Sequence, residues 1–203
     1  EIKTYGVRGS GAYFDRDCVE FGCNSSCHAL WNNDQVIFLD AGMGLRSAQR
    51  DIQARQPKDI SLLVSHPHHD HISGLLLTPE MYNPQRSIQI HGPPYLRKAI
   101  ETRFGTGVSP IPIVVLTALK EIEVTDGLFT LGKVMVKPFT AGFHPNVTDG
   151  MTEEERVFYQ EFGSQGYTLG IDGKKVVYAT DMEFDFKFPG KQTPESERIA
   201  RLQ

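Results

Sequence analysis

The chain has 203 residues, of which 21 are basic and 25 acidic, for a formal net charge of -4; that length supports one well-buried core, so a single domain over 1–203 is expected. The mildly acidic balance excludes a general pull towards nucleic acid or anionic membrane and leaves only local binding of a charged substrate. No run nears the roughly 18 apolar residues of a membrane span, and EIKTYGVRGS has no basic and apolar blocks of an export signal, which predicts a soluble, cytoplasmic protein without a membrane partner.

In chain order, β-like runs are predicted at IKTYGV, SCHALW and QVIFLD, followed by a helix at GLRSAQRDIQAR after Asp40. Strands at ISLLVS and SIQIHG come next, then a helix at YLRKAIETRF after the HGPP turn. The stretch FGTGVSPIPIVVL, rich in Gly, Pro and β-branched residues, reads as an extended connection. After the strand KVMVKPF, a helix is expected at TEEERVFYQEF, where Thr152 and Glu155 form a capping box. Strands at GYTLGI and KKVVYATD precede a last helix start at Thr193-Pro194. Strand pairs mixed with single helices suit two packed sheets with helices outside, rather than a strictly alternating doubly wound sheet. Cys18, Cys23 and Cys27 are an odd set that describes no disulfide framework, so free thiols packed as small hydrophobes are expected.

Four of the seven histidines fall in SHPHHDH, directly after the buried-strand pattern ISLLVS. Imidazoles at His66, His68 and His71 with a carboxylate at Asp70 offer N/O ligands suited to zinc, manganese or iron. The segment has no thiolate, which favours a catalytic over a structural metal site. A polar loop with Asp70 as a helix cap and exposed histidines is the plain alternative. His144, in TAGFHPNV, and Asp181, closing KKVVYATD, also sit at strand ends, and a carboxylate there can bridge two cations. Each taken alone could be an ordinary loop residue.

HxHxDH followed by Gly74, then a lone histidine, then an aspartate after a strand resembles the metallo-β-lactamase superfamily, and the match runs through nearly the whole chain. The resemblance implies an α+β, four-layer αββα fold with two divalent metal ions, zinc first and manganese or iron as alternatives. It implies His66, His68 and His144 on one ion, Asp70 and His71 on the other, and Asp181 bridging both. YGVRGS, FGCNSSC and FLDAGMGL resemble the phosphodiesterase-like branch, which includes cyclic-nucleotide and cyclic-phosphate phosphodiesterases and is related to the tRNA 3′-processing ribonucleases. In that family Asp40 would lie beneath the metals and orient a ligand histidine; on the residues alone it reads equally well as a turn Asp before Ala-Gly.

The implied function is a binuclear metal-dependent phosphodiesterase acting on a small-molecule or nucleotide substrate. Two ions about 3.5–4 Å apart lower the pKa of a bridging water, so hydroxide is the expected nucleophile, with Asp70 orienting it and handling its proton. Lactone or carboxylic ester hydrolysis on the same fold is the alternative chemistry. A non-catalytic metal-binding scaffold is the alternative class, and the intact ligand set argues against it. His69 is expected beside the site or in solvent, His28 partly buried, His91 at a strand-ending turn, and Arg8 in a structural ion pair or cap. The helix with Val157, Phe158 and Phe162 reads as a flap near the site or as a surface helix. The family also supplies a final histidine after the bridging aspartate, and MEFDFKFPGKQTPESERIARLQ has none. The expectation is therefore a C-terminally incomplete domain with a weak second metal site. Were the domain instead complete with two tightly held metals, a ligand from water or from a second subunit, in a homodimer, would replace the missing one.

Overall fold

Every residue of QVIFL is buried, and a run such as its VIFL, apolar on both faces, belongs at the centre of a sheet covered on both sides. In this computed structural model, which describes residues 1–12, 14, 16–18, 22–105, 107, 109–125, 127–142 and 164–181, that run is the central strand β3 (Gln35–Leu39). Around it stand β1 (Ile2–Gly6), β2 (Cys27–Asn32), β4 (Asp59–Leu63), β5 (Ile88–Gly92) and β6 (Leu119–Val124), in the order β1-β2-β3-β4-β5-β6. The first three strands pair antiparallel and β3 to β6 pair parallel, so the C-terminal ends of four neighbouring strands share one edge.

Helix α1 (Gly44–Arg55) spans the predicted residues and crosses from β3 to β4 with Leu45, Ala48, Gln49 and Ile52 buried, an i, i+3, i+4, i+7 stripe. It stops where Gln56 turns left-handed, at φ 46°, and its N–H caps the Ile52 carbonyl. Within α2 (His69–Ile72), a single turn, lies the end of the histidine-rich motif. Helix α3 (Leu96–Arg103) falls inside the predicted YLRKAIETRF. These helices cover one face of the sheet, where Phe38, Leu62, Ile90, Leu45, Ile52 and Ile100 share a core.

On the other face packs an antiparallel sheet of β7 (Phe129–Leu131), β8 (Val134–Gly142), β9 (Ser164–Ile171) and β10 (Lys174–Tyr178), in the order β10-β9-β8-β7. Ile37, Leu39 and Leu63 meet Val134, Val136, Tyr167 and Leu169 between the two sheets. Helix, sheet and sheet are three layers of the expected αββα order. The helices expected at 152–162 and from Thr193 lie outside the described residues.

Strands β6 and β7 were not among the predicted runs. LKEIEV is an edge strand with only Ile122 fully buried, and its charged residues hide the apolar alternation that marked the others. The described residues of FGTGVSPIPIVVL form a connection of turns and bends with one 3-10 turn at Ile113–Val115 and no α-helix, less extended than expected. All three cysteines are free, yet only Cys27 is the expected buried thiol. Cys18 and Cys23 are half-buried; the Arg8 guanidinium donates to Cys18 Sγ at 3.8 Å, a structural contact of the kind expected for Arg8. His91 is the last residue but one of β5, buried and stacked on Phe129, just before the turn that follows the strand. His28 is half-buried with its Nδ1 3.0 Å from Thr4 Oγ1. No helix among the described residues is long and apolar enough to cross a membrane.

Candidate metal centre

Strand ends build the site. Asp40 follows β3, the segment His66–His71 follows β4, and Asp181 lies three residues beyond β10. The C-terminal edge of parallel strands is the usual place for a ligand in such sheets. The motif turn is tied to the Asp40-Ala41-Gly42 loop by backbone bonds, Ala41 N–H to the His71 carbonyl and Gly74 N–H to the Ala41 carbonyl, both 2.8 Å. Those bonds bring backbone against backbone. A Cβ at Gly42 would lie 2.0 Å from the Asp70 carbonyl, and one at Gly74 would lie 2.1 Å from the Gly42 carbonyl, so only glycine fits either place. The glycines of DAG and of HxHxDH followed by Gly74 thus have one common cause.

Two groups of side chains converge there: His66, His68 and Asp181, and Asp70, His71 and Asp181, with the candidate ligand atoms of each group within 4.8 Å of one another. His66 Nε2 is 2.9 Å from His68 Nδ1. Asp181 Oδ2 stands 3.3 Å from His66 Nε2 and 3.4 Å from His71 Nε2, while its Oδ1 accepts from Thr180 Oγ1 at 3.0 Å. One oxygen therefore faces both groups, and the other is held back. Asp70 Oδ2 lies 3.3 Å from His71 Nε2 and accepts the Ser10 N–H at 2.8 Å. Ser10 itself is left-handed, at φ 63°, so its amide turns inwards from the YGVRGS loop. His144 lies outside the described residues.

Asp40, fully buried, orients the imidazoles from below. Its Oδ2 accepts from His71 Nδ1 at 2.6 Å, and its Oδ1 accepts the Ser65 N–H at 2.7 Å and the Ser65 hydroxyl at 2.9 Å. The Ser65 proton is thereby spent, so its oxygen accepts from His66 Nδ1 at 3.0 Å. Each histidine uses an Nδ1–H for these bonds, which turns its Nε2 towards the site. One carboxylate fixes two tautomers. Tyr178, on β10, reaches across from the second sheet and donates to Asp40 Oδ2 at 2.5 Å, with Ser26 Oγ 2.9 Å from its hydroxyl. Ser65, Tyr178 and Ser10 were missed in the sequence. Tyr178 had a signal, since it shares with Val176 the core-facing alternation of a strand that ends at Asp181.

Charge in the site calls for a cation. Burial opposes a charged imidazole at His71, but Asp40, Asp181 and Asp70 outweigh it and raise its pKa to about 12. Burial would raise the Asp70 pKa, yet its contact with His71 and the Ser10 N–H bring it down to about 2. Asp181 is likewise lowered, with burial overcome by His66 and His71. Three carboxylates thus surround one ring whose Nε2 is buried and has no hydrogen-bond partner. A buried nitrogen that makes no hydrogen bond yet faces two carboxylate oxygens at 3.3 and 3.4 Å fits a metal ligand better than a structural polar group. The donor set of imidazole nitrogen and carboxylate oxygen suits zinc, manganese or iron. His69 takes no part in either group; its Nδ1 is hydrogen-bonded by Arg103 at the surface.

Two face-to-face sheets, outer helices and a His/Asp centre at their shared edge define a metallo-β-lactamase fold. The chain belongs to the Beta-lactamase superfamily domain family, whose model matches residues 35–196. Among solved structures it is similar to the metallo-β-lactamase-fold protein YhfI from Bacillus subtilis, at 15% identity and TM-score 0.59, over 88% of this chain and 61% of that one. It is also similar to Zn(2+)-bound PqqB from Methylobacterium extorquens, at 14% identity and TM-score 0.57, over 88% and 64%. Human tRNase Z, short form, matches at 19% identity and TM-score 0.50, over 87% and 66%. The chain therefore spans less than two thirds of the length of the first two. A sequence search of curated proteins finds no match.

Proposed function

We propose that this protein is a metal-dependent hydrolase of phosphoric diesters, in a small molecule or a nucleotide, with two divalent ions in one His/Asp centre. The observation that carries the reading is Asp181 Oδ2, 3.3 Å from His66 Nε2 and 3.4 Å from His71 Nε2, where one carboxylate serves two ligand groups. His66, His68 and Asp181 would hold one ion and Asp70, His71 and Asp181 the other, with His144 a further ligand of the first. Zinc is favoured by the nitrogen-rich set and by the zinc in the similar PqqB. When bound, two such ions supply Lewis acidity and hydroxide near neutral pH.

The chain's own residues do the rest. Asp40 keeps His71 Nε2 and, through Ser65, His66 Nε2 turned inwards. Asp70 is ionised at neutral pH and pinned by the Ser10 N–H, which leaves it an acceptor that orients the attacking water and handles its proton. YGVRGS, FGCNSSC and FLDAGMGL, with the likeness to a protein named as a tRNase, favour a phosphodiester over a lactone or carboxylic ester.

The reading is tested by assaying zinc- and manganese-reconstituted protein on bis(4-nitrophenyl) phosphate and on a chromogenic lactone, with elemental analysis of the same samples. Diester turnover by a metal-loaded sample is expected. Lactone turnover alone would reassign the substrate, and a chain that takes up no metal would be a scaffold.

A further inference from the structure

Arg103 ends α3 and lays its guanidinium on the motif loop, where an NH2 group hydrogen-bonds His69 Nδ1. His69 lies between His68 and Asp70, one residue from each ligand group, and belongs to neither. Because its Nδ1 accepts from Arg103, its own proton is on Nε2, a second donor beside the guanidinium. Arg55, Arg86 and Arg97 each face a carboxylate, Glu1, Glu80 and Glu101; Arg103 instead faces the motif loop. Among the described residues no carboxylate is within ion-pair reach of Arg103, and its one side-chain hydrogen bond is to an imidazole. A guanidinium with most of its forked donors unspent is suited to phosphate oxygens, which accept two parallel bonds. A helix C-terminus also favours a cation, but that preference asks for no contact with the motif.

We propose that Arg103, with His69 Nε2–H beside it, binds a second phosphate of the substrate, one that neighbours the scissile diester. The inference rests on the phosphodiesterase reading and narrows its substrate class to diesters that carry another phosphate, such as a nucleotide with a terminal phosphate. A tetrahedral phosphate offers enough oxygens to accept from Arg103 and His69 together, and its second negative charge answers a guanidinium that no described carboxylate compensates.

The test uses the metal-loaded full chain and a matched pair of substrates, thymidine 5′-(4-nitrophenyl phosphate) with and without a 3′-phosphate. Wild type should prefer the 3′-phosphorylated member in kcat/KM, through KM. Arg103→Gln and Arg103→Lys should collapse that preference ratio by about tenfold or more, the scale of losing a charge-assisted hydrogen bond. The lysine variant keeps the helix-end charge and loses the fork. An unchanged ratio in both variants, even with a lower melting temperature, would overturn the proposal and leave Arg103 a helix-end cation. If wild type turned over neither substrate, the phosphodiesterase reading would fall, and calorimetric binding of thymidine 3′,5′-bisphosphate would then judge the site alone. Binding that weakens about tenfold in Arg103→Gln sustains it, and binding that is absent from wild type or equal in the two proteins refutes it.

Discussion

Asp40→Asn keeps the shape of the side chain beneath the metal centre and reverses half of its hydrogen-bonding sense. In the native chain only donors point at the carboxylate: the Ser65 N–H and hydroxyl at 2.7 and 2.9 Å, His71 Nδ1–H at 2.6 Å, the Tyr178 hydroxyl at 2.5 Å and the Ser26 hydroxyl at 3.4 Å. An Asn must offer its NH2 group to one side, so a buried donor meets a donor whichever way it flips. A stranded buried donor costs about 1–3 kcal/mol, and the other bonds lose their charged acceptor, which together place the loss on the order of 3–5 kcal/mol in the metal-free domain. For a domain of this size that is a fall in Tm of about 6–20 °C. Metal affinity should drop towards the upper end of the roughly 10–100-fold range for such supporting residues, because His71 directly and His66 through Ser65 both depend on this carboxylate. Differential scanning calorimetry gives the first quantity and competition with a chromophoric zinc chelator the second. A variant with wild-type zinc affinity would refute the claim that Asp40 fixes the two tautomers, whatever its Tm. Tyr178→Phe removes a single donor and should cost only about 1 kcal/mol, with affinity moving in the same direction.

Gly74→Ala would put a Cβ 2.1 Å from the Gly42 carbonyl, so the motif turn must shift; a marked loss of metal binding is expected, and a variant that binds and melts like wild type would contradict the close approach. His71 has its folded pKa raised from 6.5 to about 12, so the stability it contributes is complete below pH 6.5 and lost as pH rises towards 12. The Tm of chelator-treated protein should therefore fall between pH 7 and pH 11, while zinc uptake near pH 7 should release a proton, seen by calorimetry in buffers of different ionisation heat. An apo Tm that rises over that range would reverse the sign and the assignment. Asp181→Ala should lose both metals, since its Oδ2 faces both groups, whereas His68→Ala should lose one and keep the fold; metal stoichiometry with circular dichroism separates them, and a fully loaded Asp181→Ala would end its bridging assignment.

The central strands, the two helices on the first sheet and the motif could be read from the sequence because their signals are local. QVIFL is apolar on both faces, GLRSAQRDIQAR has a helical stripe, and HxHxDH packs four donors into six residues. LKEIEV escaped because an edge strand buries few residues. The supports of the site escaped for a different reason. Ser65 acts only through Asp40, and Tyr178 through a contact 138 residues away, so neither has a spacing that a window along the chain could register. Asp40 was ambiguous on the same ground, since a turn aspartate and a buried template differ only in what lies above them.

The placement of Tyr178 and Asp181 shows why the site needs two sheets. The imidazoles and Asp40 hang from the first sheet, while Asp181, which faces both ligand groups, comes from the second. A metal held by residues of both sheets would be a cross-link over the inter-sheet core of Leu39, Leu63, Val136, Tyr167 and Leu169. Tyr178 makes the same crossing with a hydrogen bond, and Tyr167 makes another by donating to the Val64 carbonyl at 2.7 Å, directly before the motif. The geometry at the edge is then set by sheet packing rather than by loop stiffness. A cavity between the sheets would reach the ligands without touching one, because the two halves of each group would move with their own sheet.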